Sequence, residues 1–290
     1  MKKKKILLAG ASGALGLEVL KLLSEQGLDV RALVHSADGA EKVAAYTKDV
    51  WKADASEGNE KIKDITKDVD IVVSTLGKSV SLFTNRGKSF MENDFYANSN
   101  VLDDAVKNGV ERFIYVSIKG ADKALEYEVA KSHKMFEDAL SASGLDYTII
   151  RPVGFFSGLN DLAIMAKRKV IPIVGDGHSR TNSIHQKDLA KVVVEHLYEG
   201  PEIKEVGGPL IHTRMEMAKM IERKVGGKVI QVPEKLAEWG MFLPELVDDD
   251  ISAKLKYFKF VTTNDMIGEV NGEITFEDYL DGLDLENDLP

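Results

Sequence analysis

The sequence predicts an α/β fold, a doubly wound parallel sheet with a smaller C-terminal lobe that contributes to the same globule. Three observations point there. Short apolar runs alternate with amphipathic helical stretches from residue 4 to residue 152. A turn with glycines at three-residue spacing, GASGALG (10–16), separates the first apolar run from the first amphipathic one. At 290 residues, 44% of them hydrophobic, the chain can bury a sizeable core.

Six apolar runs read as strands: KKILLA (4–9), VRALVH (30–35), DVWKAD (49–54), DIVVSTL (70–76), RFIYVSI (112–118) and DYTIIRP (146–152). Helical spacing fills the gaps at 15–26, 38–47, 57–67, 94–108 and 126–143. In the first of these, Leu15, Val19, Leu20, Leu22 and Leu23 form the apolar stripe. Gly27, Gly109 and Gly144 follow helices as stop signals, and Asp94 is placed to cap the fourth. Such alternation implies right-handed crossovers, with ligands at the carboxyl ends of the strands. After Pro152 the pattern loosens into a helix at 158–168, the strand VIPIV (170–174), a GDG turn (175–177), helices at 188–199 and 213–225, and the strand KVIQV (228–232). Asp188 is read as the cap of the helix at 188–199. The expected division is a nucleotide-binding part over 1–152 and a smaller substrate lobe over 153–290, with no linker and no internal repeat. The acidic tail reads as solvated surface with partly disordered ends.

Composition narrows the function. Formal net charge is −9, which argues against a nucleic-acid surface. The chain has no cysteine, so disulfides, thiolate metal sites and a cysteine nucleophile are excluded. His133, His178 and His185 are scattered without ligand spacing, which speaks against a metal site. The opening MKKKKILLAG has the outline of a signal peptide, but its apolar part runs at once into the glycine turn and reads as a first strand. No apolar run is long enough for a membrane span. A soluble, cytoplasmic protein is expected.

At the strand-to-helix junction, Gly10, Gly13 and Gly16 permit positive φ and close backbone approach. The helix behind them offers unpaired N–H groups and a partial positive charge, which suit a pyrophosphate. The second strand ends Leu33, Val34, His35, Ser36, with no carboxylate to grip a ribose 2′-hydroxyl. His35, Ser36 and Ser12 can contact a 2′-phosphate, which favours NADP while leaving NAD open. Asp54, ending the third strand, is placed to accept from an adenine amino group. Thr75, Leu76 and Gly77 end the fourth strand where adenosine would pass.

Together these residues resemble the short-chain dehydrogenase/reductase superfamily, and most of all its atypical, NmrA-like branch. The resemblance runs over residues 4–232 and rests on GASGALG (10–16), Asp54, NDFYANSNVLDDAVKNGVERFIYVS (93–117), SGLDYTIIRPVGFFS (143–157), GDGHSRTNSIHQKDLA (175–190) and VGGP (206–209). It implies a Rossmann-type fold, with Gly10, Gly13, Leu15 and Gly16 around the pyrophosphate. It also implies Ser117 near the nicotinamide ribose and Pro152 and Val153 bordering the carboxamide.

Reductases of the superfamily use a Tyr and a Lys four residues later, preceded by a Ser at a strand end. Ser117, Tyr127 and Lys131 fit that spacing and would share a helix face. Counting back from SGLDYTIIRP instead puts His133 in the Lys position and Val129 in the Tyr position. Both registers stay open. Asn98 reads equally as a site support or a surface amide, Phe155 and Phe156 as cleft or core, and Arg180 and Lys187 as surface charges. The leading function is an NAD(P)H-dependent oxidoreductase passing hydride to a small carbonyl or quinone-like substrate, as a monomer or homodimer. The competing one is a non-catalytic NAD(P)-sensing regulator. A sugar-nucleotide epimerase comes last, because the second lobe is small.

Overall fold

The computed structural model describes residues 4–83, 87–237 and 248–285. The first three residues and the end of the acidic tail (286–290) lie outside it. One eight-stranded parallel sheet organises the chain. Six of its strands are β1 (Lys5–Ala9), β2 (Asp29–Val34), β3 (Asp49–Lys52), β4 (Ile71–Ser74), β5 (Arg112–Val116) and β6 (Asp146–Pro152). With β9 (Ile203–Gly207) and β12 (Glu269–Val270), the order across the sheet is β12-β9-β6-β5-β4-β1-β2-β3. The order therefore reverses between β1 and β4, and the crevice at that switch point is where such sheets take ligands.

Both faces of the sheet are covered, which explains why its central strands β1, β4 and β5 are near-continuous apolar runs. On one face α1 (Ala14–Glu25) and α6 (Gln186–Glu195) pack with Ile6, Leu8, Val73 and Ile150. On the other, α3 (Ala97–Asn108) and α4 (Glu128–Ser141) bury Val101, Ala105, Phe136 and Leu140 against Leu7, Val72 and Phe113. The chain beyond Pro152 divides its service. α6, β9 and β12 extend the main layer. A separate core gathers α5 (Asn160–Lys167), β7 (Ile171–Val174), α7 (Arg214–Val225) and α9 (Phe276–Gly282), with β11 (Val229–Val232) parallel to β7. A two-stranded ribbon, β8 (Arg180–Thr181) against β10 (His212–Thr213), and the helix α8 (Asp249–Thr263) complete it. Short α2 (Ala37–Val43) follows β2.

Four sequence expectations need correction. The helix expected over 57–67 is instead two single 3₁₀ turns, Ala55–Glu57 and Asn59–Lys61. Positive φ at Gly58, Asp64 and Asp68 breaks a continuous helix there. Asp94 does not cap a helix: it lies within a π-helical segment, Met91–Tyr96, that runs into α3, and it is fully buried. α6 starts at Gln186 with His185 as its cap, and the Asp188 carboxylate turns away to accept the amides of Glu273 and Ile274 at 3.0 and 2.9 Å. The tail is not simply solvated surface. Phe276 and Leu280 of α9 are buried in the second core, and a Thr275–Asp278 capping box starts that helix.

Candidate functional site

A cleft of about 680 Å³ opens over the carboxyl ends of β1, β2, β3 and β4. Its floor is the glycine turn. Gly10 has φ +79°, and the amide of Gly13 donates to the Gly10 carbonyl at 3.0 Å. Gly16 then packs so tightly that a Cβ there would stand 2.1 Å from that carbonyl. Gly13 starts α1 without any side-chain cap, and the first-turn amides of Ala14, Leu15 and Gly16 have no backbone acceptor among the described residues. Unpaired amides at the head of a twelve-residue helix, with Gly10, Ser12 and Gly13 lining the space above, fit an anionic group such as a pyrophosphate. The fit to a dinucleotide thus rests on the turn itself.

Nine of the sequence-predicted residues line the cleft together: Gly10, Ser12, Gly13, His35, Ser36, Asp54, Thr75, Leu76 and Gly77. Thr75 backs the turn, its hydroxyl donating to the Ala9 carbonyl at 3.0 Å. Ser36 has a structural task as well, since its Oγ accepts the Gly39 amide and caps α2. Asp54 is engaged. Oδ1 accepts from the Ser56 amide and hydroxyl at 2.9 and 2.6 Å, while Oδ2 meets Lys88 Nζ at 2.8 Å. These donors outweigh burial and hold the Asp54 carboxyl below the usual range. Leu15 and Gly16 are buried beneath the cleft rather than lining it.

Sequence reading missed the basic side of this cleft. Lys42, one turn into α2, and Lys78 and Lys88, on the segment after β4, all line it, with Asp38 opposing them near the β2 end. Lys42 lies seven residues beyond His35, and a period-3.6 helix started at Ser36 would have placed it at the rim. The lysines after β4 carry no periodic signal.

The remaining predicted residues lie apart from that lining. Ser117, just past β5, is buried and donates to Glu137 Oε1 at 2.6 Å. Pro152 and Val153 stand at the end of β6, where the Pro152 carbonyl accepts the Lys119 amide at 2.9 Å and the Val153 amide binds Val206. Tyr127 caps α4, and its ring lies 5.6 Å from Phe260 of α8. Lys131 is exposed one turn on. His133 is buried, sharing a 2.5 Å hydrogen bond with the Tyr115 hydroxyl and lying 3.6 Å from Asp94 Oδ2. Burial pushes the Asp94 carboxyl up to about 8 and the His133 imidazole down to about 3, so the contact is between neutral groups near pH 7. Asp94 also accepts the Lys78 amide at 2.6 Å, directly behind the cleft wall. Asn98 is a buried support, bonded to Ser74 Oγ and to the carbonyls of Leu76 and Asp94. Phe156 is core, and Phe155 packs beside Ile184 of the main core. Among the described residues no group of His, Asp and Glu is placed to hold a metal, and no helix is long and apolar enough to cross a membrane.

Parallel sheet, switch-point cleft and glycine turn define a Rossmann-type dinucleotide-binding protein. The chain belongs to the NAD(P)H-binding family, whose model matches residues 10–199. It is similar to the photosystem II assembly factor Ycf39 of Cyanophora paradoxa, 28% identical over 159 residues, or 53% of this chain and 46% of that one. It is also similar to the chloroplastic divinyl chlorophyllide a 8-vinyl-reductase of Cucumis sativus, 27% identical over 248 residues, or 78% of this chain and 58% of that one. The chain thus spans about half the length of the curated relatives it matches. In structure it resembles an NADPH-dependent quinone oxidoreductase from Escherichia coli complexed with NADPH, with a TM-score of 0.73 at 20% identity over 95% of this chain and 98% of that one. That likeness shows the fold alone, as does the likeness to a nucleoside-diphosphate-sugar epimerase from Staphylococcus aureus, with a TM-score of 0.69 at 19% identity over 95% of this chain and 99% of that one.

Proposed function

We propose that the chain is an NADPH-dependent oxidoreductase acting on a small carbonyl or quinone-like substrate. The observation that carries the NADP preference is the β2 end: His35 and Lys42 line the cleft there, and no acidic side chain closes the strand itself. The bound nicotinamide would supply the hydride. The chain's own residues bind and orient. The glycine turn and the head of α1 hold the pyrophosphate, Ser12, His35 and Lys42 take the 2′-phosphate, and Ser117, Pro152 and Val153 border the nicotinamide end. A water or Tyr127 supplies the proton to the substrate oxygen. We favour the water, because the Tyr127 ring is packed on Phe260 and Lys131 points to solvent. The similarity to a reductase and to an NADPH-dependent quinone oxidoreductase agrees with this reading.

A second reading, a non-catalytic NAD(P)-sensing protein, draws on the same placement of Tyr127 and Lys131 and on the likeness to photosystem II assembly factors. Calorimetric titration with NADPH and NADH, followed by loss of nicotinamide absorbance with a panel of quinones and carbonyls, separates the two. NADPH binding with turnover of any panel member supports the oxidoreductase. NADPH binding without turnover supports the sensor, and binding of neither cofactor removes both.

A further inference from the structure

Beneath α8, where it faces the segment after β4, the buried cations among the described residues outnumber the carboxylates paired with them. Asp250, Lys254, Tyr257 and Val261 recur at helical spacing along one stripe of α8. Lys254 has a side chain only 1% exposed, and its Nζ lies 2.9 Å from Asp250 Oδ2. Lys78 comes from the cleft wall with a side chain 7% exposed and meets the other oxygen, Asp250 Oδ1, at 2.6 Å. Two buried ammonium groups therefore share one carboxylate. Each oxygen of Asp250 thus faces one ammonium group, and despite burial the two lysines hold the carboxyl below the usual range. Lys78 spends one more donor on the Lys88 carbonyl at 2.7 Å and lies over the Phe90 ring. Lys254 has no further partner among the described residues.

A third cation adds to the field. Arg214, at the start of α7, is buried and donates to the Val261 carbonyl at 2.5 Å, but among the described residues its Nε has no partner and no carboxylate lies within ion-pair distance. Burial lowers its guanidinium to about 10, with Tyr257 and Asp265 opposing. Asp265 is half exposed and already holds Arg180 at 2.7 Å. Of the other acids against this segment, Asp94 takes the Lys78 amide and is neutral by the burial argument above, Asp161 accepts the Ser81 hydroxyl and the Leu82 amide, and Glu92 accepts from Ser89 while feeling Lys78 only through space. Buried cations in excess of their carboxylates cost several kcal/mol unless a counter-charge arrives.

We propose that Lys78 and Lys254 seat an anionic group of the substrate, a carboxylate or sulfonate, with Arg214 strengthening the field. This deepens the oxidoreductase reading and rests on it for the existence of a small-molecule substrate. Lys78 belongs both to the cleft lining and to this cluster, so an anion bound here sits beside the cleft wall formed by the segment after β4. It competes with Asp250 for the same two ammonium groups.

The test is titration of the protein, alone and saturated with NADPH, with 2-naphthoate and its neutral counterpart 2-naphthamide. Wild type is expected to prefer the naphthoate by about tenfold, the worth of one buried charge-assisted contact. Lys254→Met removes an attractive charge and should cut that preference to about threefold or less, whereas Asp250→Asn removes the internal competitor and should increase it. A purely structural cluster would weaken both variants alike, or leave the preference unmoved, and either result overturns the proposal. Competition between inorganic phosphate and naphthoate on the NADPH-saturated protein supports a substrate anion site, whereas loss of naphthoate binding on saturation with NADPH assigns the cations to the cofactor and overturns it. Should NADPH fail to bind, the oxidoreductase reading falls, while the naphthoate titration of the protein alone still decides the subsite.

Discussion

Ser117 Oγ donates to Glu137 Oε1 at 2.6 Å, and the same carboxylate receives Arg151 on both oxygens, at 2.9 Å from Nε and 2.6 Å from NH2. A serine read in the sequence as a site residue is thus tied into a buried ion pair that joins α4 to β6. The arrangement fixes the rotamer of Ser117 and leaves its lone pairs as its remaining hydrogen-bonding capacity.

Removing either member of that link has unequal costs. Ser117→Ala takes away one hydrogen bond, and Glu137 keeps Arg151, so a loss of about 1 kcal/mol is expected. Glu137→Ala strands a buried guanidinium with Asp122 as its remaining acid at 3.0 Å. That change should cost about 3–5 kcal/mol. Urea denaturation of the two variants beside wild type checks the ordering, and equal costs would contradict it.

The glycines of the turn should separate fold from binding. At Gly16 an added Cβ meets the Gly10 carbonyl at 2.1 Å, which no rotamer relieves, so Gly16→Ala should unfold the turn and abolish NADPH binding. At Gly13 the φ of −71° suits any residue and the nearest atom to a new Cβ is 3.3 Å away. Gly13→Ala should therefore stay folded, with thermal stability close to wild type, yet lose about tenfold or more in NADPH affinity because the methyl occupies the phosphate approach. Calorimetry together with a melting curve reads both. Unchanged affinity in Gly13→Ala would move the pyrophosphate away from this turn.

Much of this was legible in the sequence, for definable reasons. The central strands β1, β4 and β5 are buried on both faces, so their runs stand out, and the glycine turn betrays itself because Gly10 and Gly16 are sterically obligatory. The helix expected over 57–67 failed because Ile62 and Ile65 mimic helical spacing while serving a core cluster from irregular backbone. Asp94 looked like a cap because an acid before an apolar run usually is one. Only the π-helical segment and the amide of Lys78 show that it is inside. Lys78, Lys254 and Arg214 were invisible as a group, since residues 176 positions apart meet only through the packing of α8 on the segment after β4.

Cofactor choice should turn on Lys42. It lies at the cleft edge with His35 and Ser36, four residues along α2 from the negative charge of Asp38 on the same helix face. Replacing Lys42 with Met removes a charge-assisted contact to the 2′-phosphate and should weaken NADPH by about tenfold while leaving NADH within about twofold. Asp38→Asn should act in the opposite sense, improving NADPH alone. Parallel titrations of the two cofactors measure the ratio. A ratio that Lys42→Met leaves unaltered would remove this lysine from the phosphate contact.

The buried pair of Asp94 and His133 sets opposite pH slopes on stability. Burial raises the Asp94 carboxyl from 3.8 in the unfolded chain to about 8 in the fold, so between these values the native state binds the extra proton. Its contribution is complete below about pH 4 and is lost as pH rises through 8. Burial lowers the His133 imidazole from 6.5 to about 3, so its contribution is complete above 6.5 and is lost as pH falls toward 3. Between pH 6.5 and 8 only the Asp94 slope acts, and it destabilises with rising pH. Asp94→Asn keeps an acceptor for the Lys78 amide and carries no charge. It should flatten the pH dependence across that window and raise the melting temperature at pH 8.5 relative to wild type by several degrees, about 1–2 kcal/mol. His133→Gln should flatten the acid side instead, below pH 6.5, and leave the alkaline side alone. Melting curves from pH 4 to 9 for the three proteins decide it. An Asp94→Asn profile parallel to wild type above pH 6.5 would mean that Asp94 is ionised in the fold and that its 3.6 Å contact with His133 is an ion pair.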